Sequence, residues 1–198
     1  SILNRLVAER TTLGAFFVRS GKHVIYYTRK IGYFLQALDF VPKVVDGHGQ
    51  VRMPSEFKEL TFRTAVEAAT ALCCLNSSLM FWFVHVHSDC RHLNKREVAG
   101  FPVNLQRLAS GPDGPALTAL ARQLMDDLDA NSEHRTMRFK HDTLTVQCIL
   151  SRNSKPIIDQ IDSVLARHYG FTDEELDFII NYDIKYRLGA DAFDEEES

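Results

Sequence analysis

The chain has 198 residues, enough for one domain with its own core, and its 45% hydrophobic and 25% charged residues are typical of a globular protein. No apolar run approaches the roughly 20 residues of a membrane-spanning helix, and the first residues lack the apolar centre of a secretory signal. The four cysteines show no paired spacing. We therefore expect a cytoplasmic protein with reduced thiols and no membrane partner.

The net charge of −3 conceals an asymmetry along the chain. Residues 1–110 contain 14 Lys and Arg against 8 Asp and Glu, a net charge of +6, whereas residues 111–198 contain 9 against 18, a net charge of −9. A basic part is expected of a surface that faces DNA, although an excess of this size also occurs in proteins that never bind it. We predict that 1–110 contacts DNA and that 111–198, which ends in an acidic tail, docks or braces it.

The first part predicts strands followed by helices. Apolar residues fit a helical face over 2–7, whereas 13–18 look more like a strand. The β-branched and aromatic run His23–Thr28 predicts a strand, 46–50 a turn and 59–63 a further strand.

From residue 65 the apolar residues recur every three or four positions, which predicts a helix. Residues 76–78 (Asn-Ser-Ser) interrupt it and can cap a second helix beginning near Leu79. This second helix is apolar nearly all round, so it should be buried, and it should end near Ser88. Residues 98–103 look like a short extended segment.

The Gly-Pro-Asp-Gly-Pro sequence at 111–115 is the strongest break and the best boundary between the two parts. An amphipathic helix over 117–128 and a pair of strands at 136–139 and 144–150 follow. A helix beginning at Pro156 is stopped by Gly170, and a capping box opens one more helix at Thr172. We predict an α/β (α+β) domain with a small mixed or antiparallel sheet flanked by helices, and a helical C-terminal section.

The densest set of polar side chains, SDCRHLNKRE, follows the buried helix at 88–97. Arginine suits guanine O6 and N7, asparagine suits adenine N6 and N7, and lysine suits phosphate. This segment is therefore a candidate DNA-binding site. Its candidate residues are Arg91, His92, Asn94, Lys95 and Arg96. The alternative is a helix C-terminus whose dipole the cations neutralise, followed by a structural turn, with Asp89 paired to Arg91 or Arg96.

A second candidate lies at 26–34, where tyrosines and phenylalanine alternate with cations. Such a pattern can stack on exposed bases or line a groove for a phosphate backbone. We expect Arg29 and Lys30 to contact phosphates, with Tyr33 beside them. Some of the tyrosines, at alternating positions on a strand, should instead pack into the core.

Two other clusters have weaker functional interpretations. Three histidines and Cys90 lie within 85–92 and are zinc-ligand types, but they lack the paired spacing of zinc sites, so we expect no metal. The acidic residues at 126–129 and 173–177 lack the lysine-containing motif of a metal-dependent nuclease. Solvated helix faces and first-turn capping account for them better.

Two parts of the chain resemble a known family. Residues 159–162 (DQID) and 165–187 (LARHYGFTDEELDFIINYDIKYR) resemble the C-terminus of large N6-adenine DNA methyltransferases, including combined restriction-and-modification enzymes. Residues 75–79 (LNSSL) and 88–98 (SDCRHLNKREV), with Phe-Pro at 101–102, look like the target recognition domain of those type IIG-like enzymes and, more distantly, of type I specificity subunits. The resemblance covers nearly the whole chain.

The resemblance implies sequence-specific recognition of double-stranded DNA for a methyltransferase domain elsewhere in a parent enzyme, where S-adenosylmethionine would bind. The catalytic signature of the family, Asn or Asp followed by Pro-Pro-Tyr, is absent because no two of the six prolines are adjacent. No glycine-rich cofactor loop follows a strand either. We therefore expect a fragment, without an initiating Met, that binds no cofactor and performs no chemistry.

Two other classes of function remain open from the sequence. In the first, the chain is a protein-interaction module that docks subunits of a restriction-modification assembly and does not contact DNA. In the second, it is a stand-alone nuclease, which the missing metal-carboxylate motif disfavours.

Overall fold

The structure is a computed structural model that describes residues 1–88, 90, 92–139 and 143–188. Its helices are α1 (Ile2–Ala8), α2 (Ala65–Asn76), α3 (Ser78–His87), α4 (Lys95–Ala99), α5 (Leu105–Ser110), α6 (Gly114–Ala130), α7 (Lys155–Tyr169), α8 (Asp173–Ile180) and α9 (Ile184–Leu188). Its strands are β1 (His23–Thr28), β2 (Ala37–Leu38), β3 (Val44–Asp46), β4 (Val51–Arg52), β5 (Phe57–Phe62), β6 (Ser132–Arg138) and β7 (Thr143–Ile149). Short 3-10 helices form at Leu13–Phe16 and Ser151–Ser154.

The described strands form two antiparallel sheets. In the first sheet β1 lies between β2 and β5, and Ile25 is opposite Leu60. The second sheet has the order β4-β3-β7-β6, with Val44 of β3 opposite Val146 of β7. The α+β class, the antiparallel pairing and the helical C-terminal section are confirmed. The division at residue 110 stays a prediction, and the second sheet contains strands from both sides of it.

One hydrophobic core runs through both parts of the chain, from Ile2 to Ile179. The central helix α2 packs against α6 and α7, and α3 is buried along most of its length, as its apolar sequence predicts. In the part of the chain that the structure describes, no single helix is long and apolar enough to cross a membrane. The pair α2 and α3 passes that test only together, by length and composition, and the pair is bent by 64°.

Two predictions of local structure are wrong. Residues 13–18 were expected to be strand-like, but after a single bridge between Thr12 and Pro102 the chain turns into a 3-10 helix. There Gly14 approaches α4 so closely that an added Cβ would lie 2.9 Å from the Ala99 Cβ. The extended segment expected at 98–103 begins inside α4 instead, because the backbone N–H of Asn94 donates to the Glu97 carboxylate and starts a helix.

The Asn-Ser-Ser interruption joins several elements at the junction of α2 and α3. Asn76 accepts a hydrogen bond from the Ala37 N–H (3.1 Å) and donates one to the Ala37 carbonyl (2.8 Å), so its side chain pairs with β2. The Ser77 hydroxyl caps α3 by accepting from the Met80 N–H. The polar side chains of this segment therefore stabilise the fold, and the predicted cap of the second helix is present.

Candidate nucleic-acid interface

The two segments predicted to bind DNA lie side by side. The N–H of Leu93 donates to the carbonyl of Arg29 at 2.7 Å, and Lys30 forms an antiparallel bridge with His92. The Arg29 Nη2 atom lies 3.4 Å from the Asn94 Oδ1 atom. Residues more than 60 positions apart in the chain therefore form one surface.

We call the exposed side chains of these two segments the basic surface. Its described residues are Arg29, Lys30, Tyr33, His92, Asn94, Lys95 and Arg96, and all seven are exposed. Arg91, which was predicted to belong to it, and Asp89, its expected partner in the structural alternative, lie outside the described residues.

The fold holds the basic surface from beneath. Strand β1 leads directly into Arg29, whose N–H also bonds to the carbonyl of Glu56. On the other segment Leu93 is buried and Val98 of α4 is fully buried, so both ends of the 92–96 stretch are anchored in the core. The polar side chains between these anchors project from a fixed backbone.

The cations of the basic surface have few acidic partners. Arg96 contacts Glu97 at 3.2 Å but keeps 90% of its side chain exposed, an arrangement that neutralises little of its charge. The Lys95 Nζ atom lies 5.6 Å from the centre of the Phe17 ring. Lys95 is the first residue of α4, the end at which the helix dipole disfavours a cation. Lys95 therefore does not neutralise a helix C-terminus, as the structural alternative would require.

The amide group of Asn94 already has partners within the protein, which is not expected of a residue that reads a base. Its Oδ1 atom faces Arg29 and its Nδ2 atom donates to the carbonyl of His92 at 3.2 Å. Asn94 therefore orients Arg29, which is an exposed residue. The tyrosines divide as predicted: Tyr27 is buried, which raises the pKa of its phenol, whereas Tyr33 is 58% exposed.

A cleft of about 840 Å³ opens beside the basic surface. Its walls come from the loop after β1, from the second sheet with the chain that follows β7, and from α9. The cations and tyrosines that line it include Lys30, Tyr33, Arg135, Arg152 and Tyr186. Sequence analysis missed the last three, because it assigned 111–198 as a whole to an acidic, bracing role. The local signal was available: Arg152 lies two residues after the end of the predicted strand at 144–150.

A buried arginine lies under the cleft. Arg187 is only 3% exposed, and its guanidinium is stacked between the rings of Phe34 (4.5 Å) and Phe81 (4.7 Å). It donates from Nε to the carbonyl of Tyr33 at 3.1 Å and from Nη1 to the hydroxyl of Ser78 at 3.0 Å. Burial lowers the pKa of Arg187, and the negative charge of Asp162 opposes this effect. Arg187 thereby fastens the Tyr33 loop to α3 and α9.

Asp162 of α7 lies on the other side of the α3 N-terminus. Its Oδ1 atom accepts hydrogen bonds from the N–H groups of Ser78 (2.9 Å) and Leu79 (3.4 Å). Its Oδ2 atom is buried with no hydrogen-bond partner, and burial raises the pKa of Asp162 to about 6. Residues 75–79 and 159–187 are thus joined physically, through Asp162, Ser78 and Arg187.

The expectation of no metal stays a prediction. Among residues 1–88, 90, 92–139 and 143–188, no three His, Cys, Asp or Glu side chains are close enough to hold a metal ion. The Nδ1 atoms of His85 and His87 lie 2.8 and 3.0 Å from main-chain carbonyls one turn earlier in α3. In the acidic cluster of α8, Glu175 completes the predicted capping box with Thr172.

Comparison with protein-family models, with curated proteins and with solved structures gives no match. The basic surface and its neighbouring cleft therefore carry the functional inference.

Proposed function

We propose that this chain recognises double-stranded DNA for an S-adenosylmethionine-dependent N6-adenine DNA methyltransferase of a cytoplasmic restriction-modification system. In this role it is a target recognition domain that performs no chemistry and works beside the methyltransferase domain of its parent. One observation carries the proposal: cations from two distant segments lie together on an exposed surface, held from beneath by main-chain hydrogen bonds.

The residues of the basic surface have distinct parts in this proposal. Lys30 and Lys95 are ammonium groups suited to phosphate oxygens, which position a duplex without reading its sequence. Arg29 and Arg96 present guanidinium groups, and a bidentate contact with guanine O6 and N7 contributes roughly 1–3 kcal/mol of discrimination. Asn94 is a positioning residue for Arg29, and His92, which pairs with Lys30 through the main chain, adds a further polar side chain.

The electrostatics favour DNA over the docking alternative. Lys30 makes no side-chain hydrogen bond or ion pair within the described ranges, and Arg96 has only the exposed contact with Glu97. A docking surface of protein–protein type is normally depleted of lysine at its centre and contains buried apolar anchors. In the basic surface, apart from Tyr33, the exposed groups are polar or charged.

We expect the triple variant Lys30→Gln/Lys95→Gln/Arg96→Gln to bind a short duplex at least about tenfold more weakly than the wild type at low salt. Glutamine keeps a flexible polar side chain, shorter than lysine or arginine, and removes the charge. All three side chains are exposed, so the fold should persist. Fluorescence anisotropy with a labelled duplex measures the affinity, and circular dichroism checks the fold.

Arg122→Gln is the control for removing a cation elsewhere on the protein. Arg122 is exposed on α6 and lines a groove with His23, at the opposite end of β1 from Arg29. Its replacement should leave the duplex affinity unchanged. If the folded triple variant bound DNA as tightly as the wild type, the basic surface would not be the binding site. A wild type with no affinity for duplex even at low salt would favour the docking module instead.

A further inference from the structure

The cleft has a composition that differs from that of the basic surface beside it. It combines exposed aromatic rings with cations, and its volume of about 840 Å³ lies within the range of roughly 300–1,000 Å³ that is typical of small-ligand sites. It can therefore admit a nucleotide.

Two exposed tyrosines form the edge of the cleft. Tyr33 is 58% exposed and Tyr186 is 63% exposed. Both also line a second cleft of about 410 Å³, together with Phe81 and His85. Open space therefore lies on two sides of this pair, and a planar ring can approach the tyrosines from either cleft.

The tyrosines are held in place from beneath. Tyr186 directly precedes Arg187 in α9, and the Arg187 Nε atom bonds to the carbonyl of Tyr33. One buried guanidinium thus fixes the backbone at both aromatic positions. Groups fixed before binding lose less conformational entropy when a ligand arrives, which favours binding.

The cations of the cleft favour an anionic ligand. Neither Lys30 nor Arg152 makes a side-chain hydrogen bond or an ion pair with any described residue, and both are exposed. Arg135 is already bound to Glu133 at 2.9 Å, and Glu56 is the acidic residue in the lining of the cleft. Lys30 and Tyr33 belong to both the cleft and the basic surface, so the two sites are continuous.

We propose that this cleft binds an unpaired nucleotide of DNA, with its base against Tyr33 and Tyr186 and its phosphates beside Lys30 and Arg152. The ligand is unpaired because stacking on a side chain requires a free base face, which a base inside a duplex does not offer. The proposal rests on the proposed function, because the basic surface would bring the DNA strand to the cleft.

The test compares Arg152→Gln/Tyr186→Ala with Arg138→Gln/Phe139→Ala. Each double variant removes one exposed cation and one exposed aromatic ring, and the second pair lies at the end of β6, outside the residues that line the cleft. The probes are a short duplex, the same duplex with one extrahelical adenine, a single-stranded oligonucleotide and deoxyadenosine monophosphate. A free nucleotide and a nucleotide within a strand present the same base and phosphate to the cleft. The monophosphate probe distinguishes binding of the first from binding of the second.

We expect the cleft variant to bind the single strand and the extrahelical-adenine duplex about tenfold more weakly than the wild type. Its affinity for the plain duplex should change by less than about twofold, and the control variant should bind all probes as the wild type does. Unchanged affinity for the single strand, or an equal loss in the control, would overturn the proposal. So would binding of the monophosphate alone, because the ligand would then be a free nucleotide.

The outcomes also separate this inference from the proposed function. A wild type that binds the single strand through Tyr186 but has no affinity for the plain duplex would overturn duplex recognition and leave the cleft as a nucleotide site. A wild type that binds duplex, with no effect of Arg152 or Tyr186 on any probe, would overturn the cleft alone. Binding to none of the four probes would overturn both.

Discussion

Replacing Arg187 with methionine is expected to lower the free energy of unfolding by about 3 kcal/mol. The substitution removes the donors to the Tyr33 carbonyl and to the Ser78 hydroxyl, and it takes away a positive charge that faces Asp162. Methionine is long enough to remain packed between the two phenylalanine rings, so the loss reports on the polar contacts more than on a cavity. Urea unfolding followed by circular dichroism measures the change.

The control for this prediction lies two residues away on the same helix. Lys185→Met removes an exposed cation and should change the free energy of unfolding by no more than about 0.5 kcal/mol. Arg187→Lys should destabilise as well, because a single ammonium group cannot reproduce both hydrogen bonds and the stacking. If Arg187→Met were as stable as Lys185→Met, Arg187 would not fasten the Tyr33 loop.

Asp162 should make the stability of the protein depend on pH. Burial raises its pKa from 3.8 to about 6. Between these two pH values the carboxyl is protonated in the native state and ionised in the unfolded state. The contribution of Asp162 to the free energy of unfolding is fully present below the pKa of the unfolded state. It is lost as the pH rises through the pKa of the native state. At 1.36 kcal/mol per pKa unit, the total loss is about 3 kcal/mol, of which about 2 kcal/mol falls between about pH 4 and pH 7.

Asp162→Asn isolates this contribution. Asparagine keeps an oxygen for the N–H of Ser78 and has no proton to lose over this range. Relative to the variant, the wild type should therefore become less stable by about 2 kcal/mol as the pH rises from about 4 to 7. Denaturant unfolding at several pH values gives the two curves. Parallel curves would show that the carboxyl of Asp162 does not titrate between those values in the native protein.

Local signals in the sequence were enough to predict much of the fold. The strand His23–Thr28 has the predicted bounds, because β-branched and aromatic residues mark it without interruption. Gly170 ends α7 with a φ of 67°, the left-handed conformation that glycine adopts at low cost. Thr172 and Glu175 form the predicted capping box at the start of α8. Each of these features is decided by neighbours within a few residues.

The non-local features could not be predicted in the same way. Nothing in the composition around Arg187 distinguishes a buried arginine from an exposed one, because its environment is supplied by α3 and by the Tyr33 loop. The hydrogen bond between Leu93 and Arg29 depends on how β1 and α4 pack. Arg152 and Tyr186 were missed at the cleft because charge was summed over a whole part of the chain, which hides cations that meet on one surface.

The polar residues of 75–79 and 88–98 have two different roles, structural and surface-exposed, which the sequence alone did not distinguish. Asn76 and Ser78 satisfy buried groups of β2 and α9, whereas Lys95 and Arg96 remain exposed. A polar residue that follows a buried helix is thus equally compatible with a structural junction and with a binding surface. Burial and hydrogen-bond partners distinguish the two, and these depend on the folded chain.

The salt dependence of duplex binding tests DNA recognition by the basic surface most directly. The logarithm of the association constant falls linearly with the logarithm of the salt concentration, with a slope of about −0.9 for each phosphate neutralised. If Lys30 and Lys95 each neutralise a phosphate, the wild-type slope should be steeper by about 1.8 than that of the triple glutamine variant, measured between about 50 and 200 mM salt. Equal slopes for the two proteins would contradict the account.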